Sequence, residues 1–81
     1  MEVRVLLFGP AASTFGRGEV WVRVRDGATC REVLEAVTGV APTLADHARG
    51  GRLAVNHEFA EAGRVVKGGD EVALIAMVSG G

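Results

Sequence analysis

Gly69-Asp70-Glu71-Val72-Ala73-Leu74-Ile75-Ala76-Met77-Val78-Ser79-Gly80-Gly81 closes the sequence. Lys67 and Gly68 ahead of it complete a turn rich in residues that accept positive φ, and residues 71–78 then read as a strand. Its counterpart lies at the other end of the chain. Val3, Val5 and Leu7 alternate with Arg4, Leu6 and Phe8, the two-residue period of a strand, and Gly9-Pro10 ends it. Both faces of this first strand are largely apolar, which fits a central strand or one whose second face meets a partner.

Between these two strands the signals alternate. Val20, Val22 and Val24 interleave with Trp21, Arg23 and Arg25, a second strand closed by Asp26-Gly27 and reached through a loop over 10–18. Thr29 and Glu32 form a capping box, in which the threonine hydroxyl accepts from a helix amide while the glutamate reaches back. The helix it opens lines up Cys30, Val33, Leu34 and Val37 as one apolar stripe and stops at Gly39. Residues 43–49 repeat the idea more weakly, with Thr43 and Asp46 as a second box. Residues 53–56 read as a short strand, Asn56 as a turn or cap residue, and Arg64-Val65-Val66 as a strand fragment. A hairpin, one long helix and returning strands predict an α+β fold, a mixed sheet with one main helix packed on one face. A right-handed crossover brings the last strand parallel beside the first. That is the β-grasp, or ubiquitin-like, arrangement, with residues 1–78 as the domain and 79–81 as a flexible diglycine tail.

Eighty-one residues make one small domain with a single modest core and little room for a deep catalytic cleft of its own. A net charge of −1 gives no electrostatic reason to expect nucleic acid or an anionic membrane as partner. One cysteine, Cys30, excludes an internal disulfide. No signal peptide or membrane-length apolar run is visible, so the expected location is cytoplasmic.

The tail carries the chemistry. Glycine has no Cβ to clash and accepts almost any backbone conformation, so Gly80 and Gly81 make a stem slim enough to thread a narrow channel. A terminal carboxylate is ionised at neutral pH and resists nucleophilic attack, so it needs activation, for instance as an acyl-adenylate. The competing reading is a frayed end or leftover linker.

The stretches Val3-Arg4-Val5-Leu6-Leu7-Phe8, Leu53-Ala54-Val55-Asn56, Gly69-Asp70-Glu71-Val72-Ala73 and Val78-Ser79-Gly80-Gly81 together resemble the ThiS/MoaD family of ubiquitin-like sulfur carriers. Within it they most resemble the MoaD-like small subunits of molybdopterin synthase. The resemblance covers the length of the chain, its specific parts being the Gly-Asp-Glu-Val-Ala turn and the Val-Ser-Gly-Gly ending. It departs at Ala76-Met77, where that family often has prolines; sister carriers serving thiamin, tRNA thiolation or tungsten-cofactor synthesis stay open.

The resemblance implies a noncatalytic sulfur donor with no cofactor of its own. An adenylyltransferase of the ubiquitin-activating class, using ATP and magnesium, adenylates Gly81, and a sulfurtransferase relay converts it to a thiocarboxylate. The tail then enters the large subunit of molybdopterin synthase, in a heterodimer or heterotetramer, and passes sulfur to the cyclic pyranopterin precursor. A protein modifier joined to lysines through the same tail is the alternative.

Leu6, Phe8, Ile75 and Met77 share the outward parity of the first and last strands, opposite Val5, Leu7, Val72 and Leu74. If the strands are neighbours these make an apolar docking patch, to which the resemblance adds Phe59, Val78 and Ser79; covering loops are the competing explanation. Cys30 belongs to the helix's apolar stripe and reads as a small core residue. His47 and His57 lack further ligands at metal spacing.

Overall fold

The computed structural model describes residues 1–76, with the side chain of Ala76 left aside. Five strands form one sheet: β1 (Glu2–Leu7), β2 (Glu19–Arg23), β3 (Gly51–Val55), β4 (Glu58–Phe59) and β5 (Val72–Ala76), in the spatial order β2-β1-β5-β3-β4. β1 and β5 run parallel at the centre, with Leu7 opposite Leu74, and every other pairing is antiparallel. The main helix, α2 (Cys30–Val40), lies across one face. This is the β-grasp arrangement.

Alternation decides which side of each strand is buried. Val3, Val5, Leu7, Val20, Val22, Leu53, Val55, Val72 and Leu74 all face inward, and α2 answers with Cys30, Val33 and Val37. Leu44 and Val66 belong to the same buried cluster. Cys30 is buried, and desolvation pushes its thiol pKa up against the pull of Arg64, so it is a core residue and not a reactive thiol.

The capping box forms as read, with Glu32 N–H donating to the Thr29 hydroxyl and the Glu32 carboxylate accepting from Thr29 N–H. Arg25 completes it: Nε and Nη2 grip the two Glu32 oxygens at 2.8 and 2.7 Å. The Arg25 hydrogen bond first, and the Thr29 backbone second, lower the Glu32 pKa from 4.5 to about 2. A depressed folded-state pKa stabilises at pH above the ordinary carboxylate range, and the benefit is lost as pH falls toward about 2. Side-chain NMR is expected to find the Glu32 midpoint near 2, and Arg25→Met to move it toward 4.5. An ordinary midpoint in the parent chain would dismiss the clamp.

Four readings change. Gly39 lies inside α2; the helix ends because Pro42 forbids its continuation and pushes Ala41 to φ −134°, ψ 76°. The second box is not made: Pro42–Leu44 is a 3-10 turn, and α3 (Ala45–Gly50) starts after Leu44 without a side-chain cap. Residues 64–66 do not join the sheet. Their backbone bridges Thr29 and, through the Arg64 carbonyl, accepts from the otherwise orphaned Cys30 N–H. Finally, the 10–18 loop contains a helix, α1 (Gly9–Phe15), with Pro10 in its first turn and Gly16 in the left-handed conformation as its cap.

Gly51 joins α3 to β3 where no side chain fits. A Cβ there would stand 2.6 Å from the His47 carbonyl oxygen and 3.0 Å from that of Ile75. Gly51→Ala is expected to cost about 1–3 kcal/mol in urea unfolding, by forcing α3 away from β5. Gly50, whose added Cβ meets nothing, is the control, and Gly50→Ala should be neutral or slightly stabilising. Equal effects at the two positions would refute the steric account.

Candidate functional site

The sheet face away from α2 carries a continuous row set by register. Leu6 on β1 is paired with Ala73 on β5, Ala73 with Ala54 on β3, and Ala54 with Phe59 on β4. Two alanines in the middle of this row, flanked by larger side chains, leave a hollow. The resulting groove has a volume of about 320 Å³ and is lined by Leu6, Phe8, Ala54, His57, Phe59, Glu71, Ala73 and Ile75. Its walls are unusually apolar for an open surface, Phe8 and Phe59 being 57% and 61% exposed.

Local structure holds each wall. Phe8 follows β1 with extended backbone (φ −134°, ψ 158°) and caps α1 without using its side chain, which leaves the ring free. Phe59 sits on β4, with the Arg52 guanidinium 5.6 Å from its ring centroid. β4 is reached through a two-residue turn in which Asn56 and His57 both have positive φ, 52° and 70°. Asparagine tolerates this conformation; histidine does so at some cost, and its ring lines the groove with Nε2 3.1 Å from Glu71 Oε2.

Asn56 ties that turn to the start of β5. Its side-chain oxygen accepts from Glu71 N–H at 2.9 Å, and its amide donates to Asp70 Oδ1 at 3.0 Å. The other Asp70 oxygen accepts from Lys67 N–H at 2.8 Å. That backbone bond first, and the Asn56 amide second, hold the Asp70 carboxyl below its usual range. The Gly-Asp-Glu turn noted in the sequence is therefore the latch between the hairpin and the last strand.

Of the residues singled out from sequence, Leu6, Phe8, Phe59 and Ile75 come together around one groove. Met77, Val78, Ser79, Gly80 and Gly81 lie outside the described residues. The described chain ends at Ala76, opposite Gly51 and beside the Phe8 end of β1. Ala54, Ala73, His57 and Glu71 are not among the docking residues expected from the sequence, His57 being weighed there only as a metal ligand. Ala73 shares the parity of Ile75, which was the available signal; Ala54 and His57 needed the strand order. Trp21, 54% exposed, stands on β2 away from the groove, with its indole N–H donating to Glu19. His47 meets Thr14 at 3.1 Å, and no cluster of three metal-ligating side chains occurs among the described residues.

The model of the ThiS family matches residues 5–81. The chain is 30% identical over 81 residues to a molybdopterin synthase sulfur carrier subunit of Arabidopsis thaliana, covering all of this chain and 84% of the relative. The crystal structure of SAMP1 from Haloferax volcanii, a small archaeal modifier protein, superimposes with a TM-score of 0.83 at 31% identity, covering both chains entirely. A chain in the complex of subunits 1 and 2 of the molybdopterin-converting factor from Helicobacter pylori shares the fold, with a TM-score of 0.68 at 23% identity over both full lengths.

Proposed function

This chain belongs to the ThiS family, and from that premise we propose that it is the sulfur-carrying small subunit of a molybdopterin synthase. Gly81 is the carrier. Its carboxylate attacks the α-phosphorus of ATP on an adenylyltransferase and expels pyrophosphate. A persulfide of the relay then attacks the acyl carbon and displaces AMP. A second thiol cleaves the resulting acyl disulfide, becoming a disulfide itself and leaving the thiocarboxylate, a softer nucleophile than the carboxylate it replaces. Delivery to the pyranopterin precursor takes place in the large subunit, which supplies the acidic and basic groups.

The observation that carries this reading is the position of the groove. It runs from β1 across β5 and β3 to β4, and β5, in the middle of it, leads out toward the tail. A partner seated on Phe8, Phe59 and Ile75 holds the root of a five-residue segment, 77–81, whose reach is at most about 17 Å. The groove supplies affinity and register; the glycines supply a cross-section small enough for a buried channel. The Helicobacter complex of two converting-factor subunits supports a large-subunit partner of the same kind.

A second reading, a protein modifier, is favoured by the likeness to the archaeal modifier. It uses the same adenylate but transfers the glycyl group to a lysine amine. Intact-mass spectrometry after incubation with ATP, an adenylyltransferase and a sulfur donor separates the two. Replacement of one oxygen by sulfur at Gly81 supports the carrier, and recovery of lysine isopeptides supports the modifier. Neither product with an active partner would sink both.

A further inference from the structure

We propose that the free edge of β2 is a homodimerisation surface, joining two copies antiparallel about Trp21 into one continuous sheet. Among the described residues β2 has a neighbour on one side only. Its pairing with β1 shows which backbone groups remain unused. Leu7 N–H donates to the Gly18 carbonyl and Val24 N–H to that of Met1, so the even-numbered residues of β2 bond to β1. By strand alternation the N–H and C=O groups of Glu19, Trp21 and Arg23 point to the open side. An edge of this kind is usually blunted by proline, by charged side chains, lysine above all, or by a bulge. β2 contains neither proline nor lysine, and its charges are the opposite pair Glu19 and Arg23.

The side chains select a second copy as the occupant. A two-fold axis through Trp21 sets Glu19 of one copy opposite Arg23 of the other, twice, and pairs the two exposed indoles between them. The outward pattern Glu-x-Trp-x-Arg is thus its own electrostatic complement. The Arg23 side chain is 82% exposed, with Glu2 its contact at 3.4 Å, so it is available to a second carboxylate. Glu19 accepts from the Trp21 indole N–H at 2.7 Å and lies 3.8 Å from Arg4 Nη1, so Arg23 of the second copy joins contacts that Glu19 already has. Arg25, which this register would bring toward Arg17, is already neutralised by Glu32. Beside the edge, Phe15, Val20 and the exposed Val40 line a further hollow that the second copy would cover. The groove starts at Leu6 and Phe8 and extends over β5, β3 and β4, away from this edge, so the dimer leaves it open.

One five-residue edge buries little surface, which implies association in the micromolar to millimolar range. The test is sedimentation velocity of the full chain across those concentrations, with amide exchange followed by NMR. Concentration-dependent dimers are expected, with new protection at Glu19, Trp21 and Arg23. Glu19→Arg or Arg23→Glu alone places like charges opposite each other and should weaken the dimer about ten-fold or more. An equimolar mixture of the two variants should associate again, because each then meets its complement; this rescue also shows that both are folded. A chain that stays monomeric into the millimolar range leaves the edge to a strand of another protein and overturns the proposal. So does a dimer indifferent to the reversals, or a mixture that fails to associate.

Discussion

Removal of Gly81 is expected to abolish sulfur loading and to leave the unfolding midpoint where it is in the parent chain. The effect is total because the chemistry needs one atom group at one distance. Without Gly81 the carboxylate belongs to Gly80 and sits one residue, about 3.5 Å, short of where the nucleotide phosphate is met. A misplacement of about 1 Å at a reacting centre already costs about 100-fold in rate. The fold should be unaffected because glycine has no side chain to withdraw from a core, and among the described residues the buried cluster draws on none after Leu74. Intact mass after incubation with adenylyltransferase and sulfur donor reads the first half of the expectation, and thermal unfolding reads the second. Normal loading of the truncated chain would remove Gly81 from its role.

Phe8→Arg is expected to weaken binding to a molybdopterin synthase large subunit about 100-fold or more. A buried aromatic anchor at an interface is commonly worth about 2 kcal/mol or more, and the guanidinium that replaces it would be desolvated without a partner. Domain stability should barely change, since Phe8 is 57% exposed and lends α1 its backbone alone. Val65→Arg, on an exposed residue outside the groove, is the control and should bind as the parent does. Titration calorimetry against the large subunit decides between them. Parent-like affinity for Phe8→Arg would place docking elsewhere; equal losses for both would mean charge, not position, is responsible.

Much of this could be read from the chain because its strongest signals are local. Thr29 and Glu32 lie three residues apart, and a capping box needs nothing further away, so the box legible in the chain is the one that forms. The inward set Val5, Leu7, Val72 and Leu74 follows from strand parity alone. The β-grasp order followed from element sequence plus the handedness of a crossover. Where local signals were short they misled. α1 has seven residues and one buried side chain, Ala11, too little for a periodic stripe, although Pro10 and Gly16 punctuate it correctly. Gly39 looked like a stop, but Pro42, which cannot extend a helix, sets the end.

By itself the sequence determined the inward and outward faces of the central strands, the capped helix and the glycine ending, because periodicity, capping and chain chemistry act over a few bonds. The tertiary structure alone decided the groove. Its floor is two alanines, Ala54 and Ala73, that mean nothing until β3 lies beside β5. Its walls come from Leu6 and Phe8 on one side and Phe59 on the other, about fifty positions apart in the chain, across a row whose order no local interaction sets. Strand order depends on loop closure and on burying one shared core, which are properties of the whole chain. The same holds for the open edge of β2, where Glu19 and Arg23 become complementary only once the sheet leaves that side of the strand unpaired.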